Sequence, residues 1–209
     1  MRRALRIFAA AAAVVVAVAF TVLAADLLLL QRGLTSGDTR FASGSLSADL
    51  WTPHQLVPFG AARSLLAVDD DVAYRDAVRA FVLGRPRDQP FRSPELLGQR
   101  GHAQDLLQTI VQSDQNAKRR AEAANLIGVL GFANAAVDPD QAYSYLSEAI
   151  GRFRQAIALY PAGDDAKYNL ELALTRIKKT PKPSGQKQPR DNRGGTGGGA
   201  GTGDAGSGY

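Results

Sequence analysis

Cysteine is absent from this 209-residue chain. Its absence excludes thiol catalysis, disulfides and thiolate metal sites, and it does not fix a compartment. Histidine is scarce, with only His54 and His102. The two do not share a helix face, so the paired-histidine zinc pattern is missing. Asp69, Asp70 and Asp71 lack the spaced oxygen ligands and the glycine of a calcium loop. They stand directly before Val72, where a helix N-terminus favours negative charge. No serine lies in a nucleophile-elbow motif. The closing glycine run ends the chain and opens no helix, so it is not a phosphate cradle. No catalytic, cofactor-binding or metal-ligating residue is therefore expected. The one enzymatic alternative is a hydrolase in which His54 or His102 meets Asp69–Asp71 in a cleft.

Period-two alternation is also missing, and the soluble part reads as all-α. The net charge of +5 raises a nucleic-acid reading, but its location argues against one. Residues 1–30 carry +2, residues 178–209 carry +4, and residues 31–177 carry −1. The excess sits at the ends and gathers on no folded face. No nucleic-acid partner is expected.

What the chain does have begins at its N-terminus. Arg2, Arg3 and Arg6 precede Ile7 to Ala25, an apolar run broken only by Thr21. About 20 apolar residues cross a bilayer as a helix. The arginines should stay in the cytoplasm and leave the bulk of the chain extracytoplasmic. The expected segment is a transmembrane signal-anchor over 1–31. The alternative is a cleaved signal peptide, because Val22-Leu23-Ala24 and Leu23-Ala24-Ala25 resemble small-residue cleavage sites, leaving a secreted helical protein. Gly33 to Ser47 is rich in Gly, Ser and Thr and reads as a flexible spacer. Trp51, within a short segment ending near residue 60, is expected to pack on the domain, with the membrane interface as its alternative.

Residues 61–177 read as the folded helical domain. Ala61 to Val68 has a helical pattern, and Tyr74, Ala77, Val78, Phe81 and Val82 follow at helix spacing until Gly84 and Pro86. Ser93-Pro94 caps a short helix. Ala103, Leu106, Leu107, Ile110 and Val111 form a further stripe. Lys118 to Ala136 is apolar on more than one face, so it should pack between neighbours. Gly128 and Gly131 cost about 1 kcal/mol each in helix propensity, which close approach of a partner helix explains. After the Asp138-Pro139-Asp140 turn, which is expected to cap the next helix, Ala142, Leu146, Ala149, Ile150, Phe153, Ile157 and Tyr160 make the cleanest amphipathic stripe. Ala166, Leu170, Ala173, Leu174 and Ile177 form the last one, expected to cap the preceding hairpin. Residues 178–209, Lys/Pro-rich and then Gly-rich, cannot repay ordering entropy and should be disordered.

Two pieces resemble the tetratricopeptide repeat. Ala149, Phe153, Ala156 and Pro161 match its second helix and the proline after it. Ala166-Lys167-Tyr168-Asn169-Leu170 matches the opening of a first helix. The resemblance implies repeat-packing roles for Leu126, Gly128, Ala149, Phe153, Ala156, Pro161, Ala166, Tyr168, Asn169 and Leu170. Glu171 stands where the repeat usually has glycine. The Asn-Leu pair recurs at 125–126 and 169–170, 44 residues apart, against a standard period of about 34. One degenerate repeat plus a capping helix is expected. Anchor, RAEAANLIGVLGF, YNLELAL and tail together resemble small membrane-anchored repeat proteins that accompany MoxR-type AAA+ ATPases and von Willebrand factor A domain membrane proteins. That resemblance implies an accessory scaffold of an envelope complex with a protein partner of those kinds.

Overall fold

The computed structural model describes residues 2–52, 68–85 and 93–182. The described residues are all-α, with six helices and no strand. They are α1 Arg2–Ala42, α2 Val68–Leu83, α3 Pro94–Ser113, α4 Ala117–Val137, α5 Ala142–Leu159 and α6 Asp164–Lys178. The expected tail from 183 onward, His54, and most of the helix expected over 61–68 lie outside the described residues.

Helix α1 has 41 residues, which makes it about 60 Å long. It is long and apolar enough to cross a membrane. Ile7, Phe8, Val14, Val15, Val18 and Phe20 project exposed around it. The helix does not stop where the apolar run ends. The expected flexible spacer from Gly33 is helical through Ala42. Leu23, Asp26, Leu27, Leu30, Gly33, Leu34, Gly37 and Phe41 fall on one stripe that is buried or half-buried. Burial of that face overrides the weak helix propensity of Gly, Ser and Thr. Gly44, at φ +94°, then turns the chain back. Trp51 lies buried against α1, and its ring centroid is 5.4 Å from that of Phe41. A Cβ built on Gly37 would lie 2.6 Å from Trp51 Cδ1, so glycine is what admits the indole. Trp51 Nε1 donates to Asp38 Oδ1 at 2.9 Å. The indole therefore packs on the extension of α1, where the expectation was the domain over 61–177.

The remaining helices run antiparallel in chain order. Gly84, just after α2, meets Arg100 on α3. Arg120 on α4 bonds to Val111 O on α3. Gly128 on α4 faces Phe153 on α5, and Gly131 faces Ala149. Ala149 and Phe153 in turn pack with Ala173 on α6. A core of Ala77, Phe81, Leu107, Ile110, Ile127 and Leu130 joins α2, α3 and α4. Helix α4 thus packs between neighbours, as its two apolar faces implied.

Two boundaries differ from expectation. The short helix at Ser93-Pro94 and the stripe from Ala103 are one 20-residue helix, α3. Ser93 Oγ accepts from Leu96 N at 3.1 Å to cap it, and burial of Leu96, Ala103, Leu107 and Ile110 carries it through Gly98 and Gly101. Helix α5 is not capped by Asp140; its first position follows Gln141, which makes no side-chain cap.

Candidate interaction surface

The tightest contact between helices is at Gly128. A Cβ placed there would lie 2.7 Å from Phe153 Cδ1. The Phe153 ring, 1% exposed, therefore fills space that only glycine leaves open. Ala149 packs beside it, and Ala156 and Ala166 meet at the other end of α5. Small residues at these positions bring the three helices close enough for one aromatic ring to fill the seam. Leu170 is half-buried on the Ala149–Phe153 cluster, together with Leu174 and Ile177. Helix α6 closes the hairpin as a cap.

Seven of the ten residues marked by the resemblance come together here: Gly128, Ala149, Phe153, Ala156, Ala166, Asn169 and Leu170. Asn169 joins through a hydrogen bond to Asn125 at 3.0 Å. Leu126 is half-buried on the other side of α4, against the α2–α3–α4 core. Pro161 sits exposed in the α5–α6 turn. Tyr168 departs outright from a packing role, because it is 68% exposed. It follows Ala166 by two residues, about 200° around the helix, so it faces away when Ala166 is buried.

A chain of charge connects the end of α1 to the rest. Asp38 takes two bonds from Arg75, Nε to Oδ1 at 2.8 Å and Nη2 to Oδ2 at 3.0 Å. Arg75 also pairs with Asp71. Arg119 lies 3.7 Å from Asp71 and binds Asp114 with both Nε at 2.6 Å and Nη2 at 3.0 Å. Burial pushes the Asp114 carboxyl up, but hydrogen bonds from Arg119 and the Asn116 amide, with the nearby charges of Arg119 and Arg120, hold it below the usual carboxylate range. The acidic triplet thus acts beyond helix-end electrostatics, since Asp71 bridges two arginines. The α2–α4 contact is further tied by Tyr74, whose hydroxyl donates to Glu122 at 2.6 Å. Burial and then Glu122 push the Tyr74 phenol upward, so it stays a donor.

Two hollows open on α4, α5 and α6. One, of about 310 Å³, has Phe132, Ala135, Leu146 and Leu172 as its apolar lining and Arg176 and Lys179 beside them. Leu172 is 44% exposed, and among the described residues no acidic side chain lines this hollow. The other, of about 240 Å³ and more polar, lies by Lys118, Glu122, Asn125, Tyr160 and Asp165. No group of histidines and carboxylates able to hold a metal occurs among the described residues. His102 is exposed on α3, two residues from the Arg100 that meets the C-terminal end of α2. Asp69–Asp71 stand at the other end of α2, about 20 Å of helix away. His102 and the triplet do not share a cleft.

Sequence reading missed Arg100 and the apolar hollow. Arg100 was visible in principle: it falls at the 4, 3, 4, 3 spacing of the stripe Leu96, Arg100, Ala103, Leu107 and Ile110, and it is buried with them. Comparison with protein-family models, curated proteins and solved structures gave no match.

Proposed function

We propose that the chain is a single-pass membrane scaffold, N-terminus cytoplasmic, that presents its helical-hairpin module outside the cytoplasm to a protein partner. The observation that carries this reading is the apolar hollow of Phe132, Leu146 and Leu172, edged by Arg176 and Lys179. An exposed apolar recess with charge of one sign at its edge suits an apolar anchor residue flanked by carboxylates. The occupant we assign is an acidic segment of a partner protein.

Three further observations support the reading. Arg2, Arg3 and Arg6 give the orientation by the positive-inside rule. The cleavage-like sites at residues 22–25 fall inside the continuous helix α1 and not in a loop after it. This favours an anchor over a secreted form. The close seam at Gly128 and Phe153 fits the small-to-aromatic packing of a tetratricopeptide-like hairpin. On the resemblance alone, the partner is a von Willebrand factor A domain membrane protein or a MoxR-type AAA+ ATPase system, and the scaffold is accessory to an envelope complex. The hydrolase alternative has no such observation in its favour.

The test is quantitative co-purification from detergent-solubilised membranes, comparing the native chain with Leu172→Glu. Leu172 is exposed, so the variant keeps its helical circular dichroism. A stoichiometric partner retained by the native chain and lost by the variant is expected. Recovery of the same proteins at the same level with both would overturn the proposed surface.

A further inference from the structure

Arg100 sits between α3, the end of α4 and the start of α5. Arg100 is 4% exposed, on the buried stripe of α3. Nε donates to Gly84 O and Nη1 to Asn134 Oδ1, each at 3.1 Å. Nη2 is closed to bulk water and has no hydrogen-bond partner. Among the described residues no carboxylate lies within ion-pair distance of this guanidinium. Burial pushes its pKa down, yet a guanidinium stays protonated at any ordinary pH. The charge is therefore held in the interior against two neutral oxygens. The end of α2 at Gly84 offers only the partial negative charge of a helix C-terminus, about half a unit. A buried charge without a counter-ion is costly, and an unpaired buried donor calls for an explanation.

Arg100 and its partner Asn134 both line a cleft of about 540 Å³ between α3, the end of α4 and the start of α5. Gln104 and Tyr145 add polar side chains to its wall. Asp138 also lines it and opposes a dianion, which leaves a planar monoanion as the better complement. We propose that this cleft is a carboxylate-binding site, with Nη2 of Arg100 as the donor that the bound carboxylate satisfies. Entry requires a lining side chain to turn aside, and Leu97, 49% exposed, is the one with room to do so. The carboxylate comes either from a small acid or from a carboxylate-bearing segment of a protein. The site is independent of the hollow at Leu172.

The experiment uses the full chain in detergent micelles. Thermal unfolding is followed at fixed ionic strength in sodium acetate and in sodium chloride. Acetate at a few times its Kd should raise the Tm by about 2–4 °C over chloride. Arg100→Met should abolish that difference. Two blocked peptides, acetyl-Gly-Glu-Gly-amide and its Gln counterpart, separate the sources. Stabilisation by the Glu peptide and not the Gln peptide assigns a protein-borne carboxylate; stabilisation by acetate alone assigns a small acid. No acetate effect in the native chain, or an equal effect in Arg100→Met, overturns the site. Should the variant fail to fold, nitrogen-15 spectra of the arginine side chains decide. The Arg100 Nε–H signal must move with acetate and stay fixed with chloride, and a signal that ignores acetate rejects the proposal.

Discussion

Asn169 on α6 donates from Nδ2 to Oδ1 of Asn125 on α4, across 3.0 Å. These are the two asparagines of the recurring Asn-Leu pair. The recurrence in sequence is thus a contact in space, made between two helices that both pack on α5. Each amide is half-buried, so losing its partner leaves a poorly solvated group. Asn125→Ala and Asn169→Ala should each cost about 1 kcal/mol. The double variant should cost less than their sum by about 0.5–1.5 kcal/mol. Urea unfolding of the four proteins measures the cycle, and strict additivity would show that the bond contributes nothing.

Gly128→Ala should destabilise, although alanine is the better helix former. The added methyl meets the Phe153 ring well inside contact distance, and overpacking of this kind costs about 1–3 kcal/mol. Gly151→Ala is the control, since nothing lies near a Cβ there. It should stabilise by up to about 1 kcal/mol from helix propensity alone. Opposite shifts in urea midpoint are expected, and a stabilised Gly128→Ala would mean that the seam is loose.

Asp114 makes stability depend on acid pH in a defined direction. Its folded pKa lies below the unfolded carboxylate value of about 3.9. Its contribution is therefore complete above that value and is lost as pH falls through the lower, folded pKa. Asp114→Asn should be less stable at pH 7 by about 1–3 kcal/mol, having lost charge-assisted bonds to Arg119. It should also lose less stability than the native chain between pH 4 and the acid transition. Parallel pH profiles for the two proteins would remove Asp114 from the account.

The mature protein should keep the apolar run from Ile7 to Ala25. The cleavage-like sites lie within the unbroken helix α1, which runs on to Ala42, so no loop presents them to a protease. N-terminal sequencing of the membrane fraction should read a start ahead of Ile7. A start at Ala25 or Asp26 would make the segment a cleaved signal.

Asp38→Asn should have little effect on global stability, under about 1 kcal/mol, because the carboxylate is about half exposed. It should nonetheless loosen α1 from α2, since Asp38 holds both Arg75 and Trp51. Faster limited proteolysis after Ala42, at unchanged urea midpoint, is the expected readout.

The hairpin helices were legible in the sequence, because each stripe from Ala103 to Ile177 repeats at helix spacing and burial follows that spacing. The sequence also marked Gly128 as a close approach, since a glycine inside a helix needs a neighbour to explain it. The apolar run after three arginines was legible for the same reason: length and composition alone decide whether a helix can span lipid. Tertiary structure decided the rest. Gly33 to Ala42 has the composition of a linker and became helix because one face of it is covered. Tyr168 carries the residue type of the repeat but turned outward, since the register of α6 is set by Ala166 and Ala173. Arg100 entered the interior, and Asp71 became a bridge between two arginines. Composition and periodicity report what a segment can bury, and only the packing of distant segments decides which charges end up facing one another.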